Sequence, residues 1–289
     1  MIQFVFFYYL ITEIPPLISD YIASDFYFEF VVELFFLLSA VLTVFLSVKI
    51  LDKRDFRELG LFINKKWITE FGIGLALGAG VFILIFAIQF SAGWIKIDSF
   101  MHNETGLPFV IAIVLRLLGY VAVGITEELF CRGYQLKNIA EGFHSDKTGF
   151  NYSIIAAWII TSIIFGLLHA ENPSANLLST FNLFLIGLFF GLTYILTGSL
   201  ALPIGLHTTW NFFQGNIFSF PVSGFDAFVS FFKTSVTTPG IVSDSRFGPE
   251  AGLIIFPGLI AGILFLYYFY KKETVKQFLI RSIALYKSE

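Results

Sequence analysis

The sequence predicts an all-α protein, a polytopic transmembrane bundle of about eight helices. Three observations predict this fold class. Of the 289 residues, 56% are hydrophobic and 13% are charged, about half the charged share of a soluble domain. Mean hydropathy is +0.80. Apolar segments of spanning length recur along the chain, and a soluble globule of this size could not bury so much apolar surface.

Composition also excludes several classes of function. Aromatic residues make up 19% of the chain, which excludes a disordered protein. The net charge of −3 gives no indication of a nucleic-acid partner. A single cysteine, Cys131, excludes an internal disulfide and a zinc site built from several cysteines.

Each predicted span contains roughly 20 predominantly apolar residues. The first is interrupted by Glu13, Pro15 and Pro16, so it could be re-entrant or lie in the membrane interface. Because Met1 to Leu10 lacks a basic stretch, we interpret it as a retained span and not as a cleaved signal peptide. The predicted spans are approximately Ile2–Ile22, Phe28–Val48, Trp67–Trp94, Leu107–Cys131, Tyr152–Leu168, Leu177–Leu196, Ile204–Phe220 and Leu253–Tyr270.

Basic residues predict the orientation. Most of the 18 lysines and arginines follow the second, fourth and eighth spans, which places these loops and both termini in the cytoplasm. The segment Leu51–Trp67 mixes basic and apolar residues and is expected along the cytoplasmic surface. We divide the chain into N-terminal spans with this segment (1–106), a core (107–220), and an external loop with the last span and a cytoplasmic tail (221–289).

Small residues recur four apart within three spans. Such pairs let helix backbones approach closely, and packing inside the bundle is a simpler explanation than a dimer interface. The pairs are Gly74/Gly78, Gly187/Gly191 and Gly258/Gly262.

Two adjacent carboxylates near the end of the fourth span require an explanation, because ionisable groups inside spans are costly. Glu128 and Arg132 are four residues apart and can form an ion pair. Glu127 lies about 100° away around the helix and is left as a free carboxylate, which suits a general base. The alternative is a solvated helix end.

Two histidines also lie within spans. His169 shares a helix face with Phe165, and His207 shares one with Asn211. A histidine and an amide on one face could stabilise an oxyanion. The alternatives are a hydrogen-bonded core histidine at His169 and hydrogen bonds between helices at His207 and Asn211.

Together these motifs resemble those of the CAAX-processing and bacteriocin-processing (CPBP, or Abi) family, which includes type II CAAX prenyl endopeptidases. The family pattern is EExxxR, FxxxH, then HxxxN or HxxxD, each on a membrane helix. All seven positions match in order, and Cys131 stands where the family usually has Phe. The matching residues are Glu127, Glu128, Arg132, Phe165, His169, His207 and Asn211.

The resemblance implies an intramembrane endopeptidase with its site inside the bundle, and with membrane-associated proteins or peptides, CAAX-type or bacteriocin-like, as substrates. It implies that Glu127, His169, His207 and Asn211 are catalytic and that Glu128, Arg132 and Phe165 support them. The expected location is the bilayer of a plasma (inner) membrane.

We favour a metal-free mechanism. In it, Glu127 deprotonates a water held by His169, while His207 and Asn211 stabilise the oxyanion. One carboxylate with two imidazoles is also a zinc ligand set, so a divalent metal is the alternative. A transporter and a catalytically silent immunity protein are further alternatives, since intramembrane Glu, His and Arg also mark ion paths.

Residue counts along the helices place the predicted site residues at different depths in the membrane. Counted from the cytoplasmic turns, Glu127 and His169 lie well above His207. Convergence therefore requires tilted or broken helices, and Asn172-Pro173 and Pro203 are candidate breaks.

Overall fold

The computed structural model describes residues 25–145, 147, 149–238, 240–274 and 281–285, which form a helical bundle with a two-stranded sheet. The first predicted span, Ile2–Ile22, lies outside the described residues. The helices are α1 (Asp25–Ile50), α2 (Lys65–Ser91), α3 (Phe109–Glu128), α4 (Lys137–Phe143), α5 (Gly149–Leu168), α6 (Leu177–Thr197), α7 (Ala201–Phe212) and α8 (Ile255–Thr274). The strands are β1 (Ile95–Asn103) and β2 (Val229–Val236). Short 3₁₀ turns cover Phe56–Leu59, Pro249–Ala251 and Arg281–Ala284, and π-helices cover Leu129–Leu136 and Phe213–Ile217.

Within the part of the chain that the structure describes, five helices are long and apolar enough to cross a membrane. They confirm helices at the second to sixth predicted spans. The eighth corresponds to a shorter apolar helix, Ile255–Tyr270. The third of these combines α3, the π-helix Leu129–Leu136 and α4 into one continuous helix. The five are Phe26–Ile50, Lys65–Ser91, Phe109–Phe143, Gly149–Leu168 and Leu177–Thr197.

The seventh predicted span, Ile204–Phe220, has a different structure. Helix α7 has 12 residues, all of them buried, and continues as the π-helix Phe213–Ile217. At 1.5 Å per residue, α7 is about 18 Å long, too short to cross a bilayer alone. It is an internal helix surrounded by the others, and Pro203 lies in its first turn, where proline is tolerated.

Backbone contact between α2 and α7 depends on glycine. A Cβ added to Gly74 would lie 2.8 Å from the backbone nitrogen of Leu206, and one added to Gly78 would lie 2.9 Å from that of Trp210. In return, a Cβ on Gly205 would lie 3.0 Å from the backbone nitrogen of Leu75. The two helices therefore touch along their backbones, as the Gly74/Gly78 spacing predicts.

The other two glycine pairs also pack inside the bundle. Gly187 and Gly191 meet Ser162 and Trp158 of α5. Gly258 meets α2 and Gly262 meets α6, so α8 packs between these helices.

Two buried arginines attach peripheral segments to the bundle. Arg54, 2% exposed, binds both carboxylate oxygens of Glu141 at 2.7 Å and so fixes the connection between α1 and α2 on α4. Arg116, 6% exposed, lies 3.0 Å from Glu33 and 3.7 Å from Glu29, which joins α3 to α1. Paired charges of this kind are the form in which a bundle interior tolerates ionised groups.

The all-α prediction omits the sheet. Strands β1 and β2 pair antiparallel, with Ile95 opposite Val236 and Asn103 opposite Val229, and with an irregularity between Ile97 and Ser99. Through this pairing, the loop 221–252 contacts the connection between α2 and α3. We call this end of the bundle the strand end, and the end that carries Arg54 and Glu141 the basic end.

Replacing Gly78 by valine should destabilise the protein by about 1–3 kcal/mol, because the new side chain would have to displace the α7 backbone. Gly80→Val is the matched control, since a Cβ there meets nothing within 4 Å and the same helix bears the same β-branched residue. Thermal unfolding in detergent measures the difference. Equal melting temperatures for the two variants would contradict backbone contact between α2 and α7.

Candidate active site

Three elements bring the predicted site residues together. Glu127 and Glu128 end α3, where it continues as the π-helix Leu129–Leu136. His169 follows the last residue of α5, and His207 lies on the buried helix α7. Such π-helical segments frequently occur at functional sites.

The carboxylate of Glu127 lies between the two imidazoles. Its Oε2 is 3.9 Å from Nε2 of His207 and 4.0 Å from Nε2 of His169. These separations are within reach of one bridging water. The Glu127 side chain is 30% exposed, so it can be reached from outside the protein. The predicted convergence of both histidines on Glu127 is therefore present.

The other ring nitrogen of each histidine is already bound. Nδ1 of His169 lies 2.8 Å from the carbonyl oxygen of Phe165, and Nδ1 of His207 lies 2.9 Å from Oε1 of Glu128. A carbonyl oxygen only accepts, so Nδ1 of His169 carries the proton. A neutral His169 consequently presents its Nε2 lone pair to Glu127.

Glu128 is fully buried, and it accepts two hydrogen bonds on one oxygen. Arg132 donates to Oε1 at 2.8 Å, as the four-residue spacing predicts, and His207 donates to the same atom. The bond from His207 was missed, because spacing within one helix carries no information about contacts with another. Glu128 thus supports the site directly as well as pairing with Arg132.

Arg132 links α3 to two further helices. Its Nη2 donates to the carbonyl oxygen of Gly187 on α6 at 3.2 Å. Its guanidinium carbon lies 4.4 Å from the ring centroid of Phe165 on α5, within the range of a cation–π contact. Phe165 therefore supports the site twice, through its ring under Arg132 and through its carbonyl bound to His169.

Aromatic rings border both imidazoles. The Phe165 and His169 ring centroids are 4.8 Å apart, and those of Phe190 and His207 are 4.9 Å apart. An apolar border of this kind lowers the local dielectric constant and so strengthens the electrostatic interactions inside it.

Asn211 lies one turn after His207 on α7 and is 6% exposed. No hydrogen bond joins its amide to the other residues that the structure describes.

The donor types of Glu127, His169 and His207 suit zinc, and the Glu127 oxygen lies slightly farther from both ring nitrogens than two ligands of one zinc ion lie from each other. Donor atoms around a tetrahedral zinc are about 3.3–3.6 Å apart when each bond is about 2.0–2.2 Å long. The observed separations from Glu127 are 3.9 and 4.0 Å, and no group of three potential ligands among the described residues has metal-binding geometry.

Residues 108–213 match the family described as type II CAAX prenyl endopeptidase Rce1-like. This range is about a third of the chain and contains all seven residues of the predicted motifs. The match confirms the resemblance to CPBP-type proteases. At the level of the family, it indicates an intramembrane CAAX-type endopeptidase in a membrane protein. No curated protein and no solved structure matches the chain.

Arg132→Ala should lower the free energy of unfolding by about 3 kcal/mol or more, because it leaves the Glu128 carboxylate buried without its cation. The measurements are the amount of protein in the membrane and its melting temperature. Arg57→Ala is the control, since the Arg57 side chain is 66% exposed and its loss should leave both quantities near wild type. Wild-type amounts of a stable Arg132→Ala protein would contradict a structural ion pair.

Proposed function

We propose that this protein is an intramembrane endopeptidase that hydrolyses peptide bonds of membrane-associated proteins or peptides, with Glu127 as the general base. The observation that carries the proposal is the position of Glu127 Oε2, about equally distant from Nε2 of His169 and Nε2 of His207. A carboxylate that can be reached by water, flanked by two imidazoles in an apolar surround, has the components that peptide hydrolysis requires.

In the proposed reaction, a water lies between Glu127 and His169. One hydrogen points to the Glu127 carboxylate and the other to the Nε2 lone pair of His169, which its bond to the Phe165 carbonyl leaves free. Glu127 takes a proton as the water oxygen attacks the scissile carbonyl carbon. Glu127 then returns this proton to the departing nitrogen as the carbon–nitrogen bond breaks, so the two products are an acid and an amine.

His207 and Asn211 stabilise the oxyanion that forms during this attack. Asn211 donates from its amide, and His207 donates from Nε2 in its imidazolium form. The Glu128 carboxylate, 2.9 Å from Nδ1 of His207, fixes the ring and stabilises that positive charge. Arg132 donates to the same Glu128 oxygen and holds this carboxylate in place.

The proposed substrates are CAAX-type or bacteriocin-like proteins and peptides that reach the site from the bilayer. We place the protein in a plasma (inner) membrane with the basic end in the cytoplasm, because Lys and Arg are retained on that side. The residues near Arg54 and Glu141 mark this end.

Two alternatives compete with this proposal. A metal-dependent protease would use Glu127, His169 and His207 as ligands, after a rearrangement that shortens their separations. A transporter or immunity protein would use the same polar groups without hydrolysis. The hydrogen bonds that fix Nδ1 of both histidines favour an enzyme, because they orient both Nε2 atoms toward one carboxylate.

Glu127→Gln should abolish cleavage and leave the protein folded, because glutamine keeps the shape of the side chain but cannot take a proton. The measurements are hydrolysis of a farnesylated CAAX peptide by purified protein and peptide release in membranes of cells that carry each form. Glu128→Gln is the comparison variant, and it should lower the melting temperature first, since it removes the partner of Arg132. Loss of activity in a well-folded Glu128→Gln protein, with Glu127→Gln still active, would reverse the two roles.

Removal of metal should leave cleavage unchanged. Purified protein is treated extensively with a chelator, its metal content is measured, and cleavage of the same peptide is followed before and after. Retained activity in metal-free protein is the expected result. One equivalent of zinc per chain, with activity lost on its removal and restored on its return, would establish the metal-dependent alternative.

A further inference from the structure

The segment 221–252 at the strand end is more deeply buried than a connecting loop usually is. Phe247, Ser243 and Glu250 are 0%, 1% and 2% exposed. Asn182 of α6 donates to the backbone oxygens of Glu250 and Gly252 at 2.8 and 3.1 Å. Connecting segments normally lie on the surface, so this one has a specific place inside the bundle.

The carboxylate of Glu250 is held by neutral donors. Its Oε2 accepts from the backbone nitrogen and the hydroxyl of Ser223, both at 2.8 Å, and its Oε1 accepts from Nε1 of Trp210 at 3.2 Å. Among the residues that the structure describes, no basic nitrogen lies within 4.0 Å of it. Burying a carboxylate without a cation is costly, so these bonds indicate a role that a neutral residue would not fill.

One end of this network reaches His169. The backbone oxygen of Ser223 accepts from the side chain of Asn172 at 3.0 Å. The backbone nitrogen of Asn172 in turn donates to the carbonyl of His169 at 3.2 Å. The turn that follows His169 is thereby attached to the buried segment.

The other end reaches His207. Trp210 is 1% exposed, lies three residues after His207 and directly precedes Asn211. Its ring centroid is 5.4 Å from that of Phe190, which is 4.9 Å from that of His207. A bond that fixes the Trp210 indole therefore also fixes the helix face that carries His207.

We propose that Glu250 is a positioning residue of the active site. Through Ser223 and Trp210 it sets the separation between the turn that carries His169 and the helix that carries His207. The segment 221–252 thus acts as a fixed cap that holds the two imidazoles on either side of Glu127. Glu250 lies outside the range that matches the family, and it does not contact the reacting groups itself.

The test compares Glu250→Gln with Asp226→Asn. Asp226 is an exposed carboxylate in the same segment. Asp226→Asn therefore makes the same change from carboxylate to amide, but outside the hydrogen bonds that Glu250 forms with Ser223 and Trp210. Glutamine cannot accept from both Ser223 and Trp210, since one of its two terminal atoms is a donor. The first readout is the NMR spectrum of protein labelled with ¹⁵N-histidine, which has four imidazoles to assign.

In Glu250→Gln, the ring nitrogen signals of His169 and His207 should shift, while those of His144 at the basic end should stay. Asp226→Asn should leave all three in place. This readout requires no substrate, so it remains informative if the proposed protease activity is wrong. Unmoved His169 and His207 signals in folded Glu250→Gln protein would overturn the inference.

The second readout is kinetic and rests on the proposed function. Glu250→Gln should lower kcat for the farnesylated peptide by roughly tenfold, the scale of one lost hydrogen bond to a charged group, with KM little changed. If Glu250→Gln does not fold, Trp210→Phe and Ser223→Ala take its place, because each removes one donor and keeps the carboxylate. They should shift the same two imidazoles, and their failure to do so would also overturn the inference.

Discussion

The buried carboxylate of Glu128 is the interaction on which the rest of the site depends. A buried carboxylate requires hydrogen-bond donors, and Oε1 of Glu128, whose side chain is 0% exposed, receives them from two different elements. Arg132 supplies one from the next turn, and His207 supplies the other from α7. Arg132 also reaches the Gly187 carbonyl, so one carboxylate fixes the relative positions of α3, α6 and α7. The position of Glu127 is fixed as well, because Glu127 directly precedes Glu128 on α3.

Internal placement of α7 is the second constraint. The glycines of α2 allow backbone contact with α7, and this contact leaves every residue of α7 buried. Gly133, six residues after Glu127, packs against Leu200, seven residues before His207. Glu127 and His207 therefore lie at similar distances from this contact, which resolves the conflict between their depths. The helix does not need to break, and Pro203 lies harmlessly in its first turn.

Much of the site could be predicted from the sequence, because its parts are local. The helices follow from apolar runs, the pair of Glu128 with Arg132 follows from a four-residue spacing, and convergence of Glu127 with the histidines follows from a set of motifs that acts as a unit. The bond from His207 to Glu128 and the whole Glu250 network could not be predicted. They join segments far apart in the chain, and the segment around Glu250 has no periodicity that would indicate burial. The strands were missed for a related reason, since β1 alternates only at Ile95 to Asp98 and needs β2 to be ordered.

The two adjacent glutamates at the end of α3 have different surroundings. Consecutive residues of a helix point about 100° apart, so a carboxylate directed into the bundle forces its neighbour to a different face. Glu128 faces α7 and accepts from Arg132 and His207 on Oε1, whereas Glu127 is 30% exposed, with ring nitrogens of His169 and His207 at 4.0 and 3.9 Å from its Oε2. The different surroundings of these identical side chains therefore arise from the helix geometry, and they are maintained because Arg132 and His207 hold Glu128 against α7.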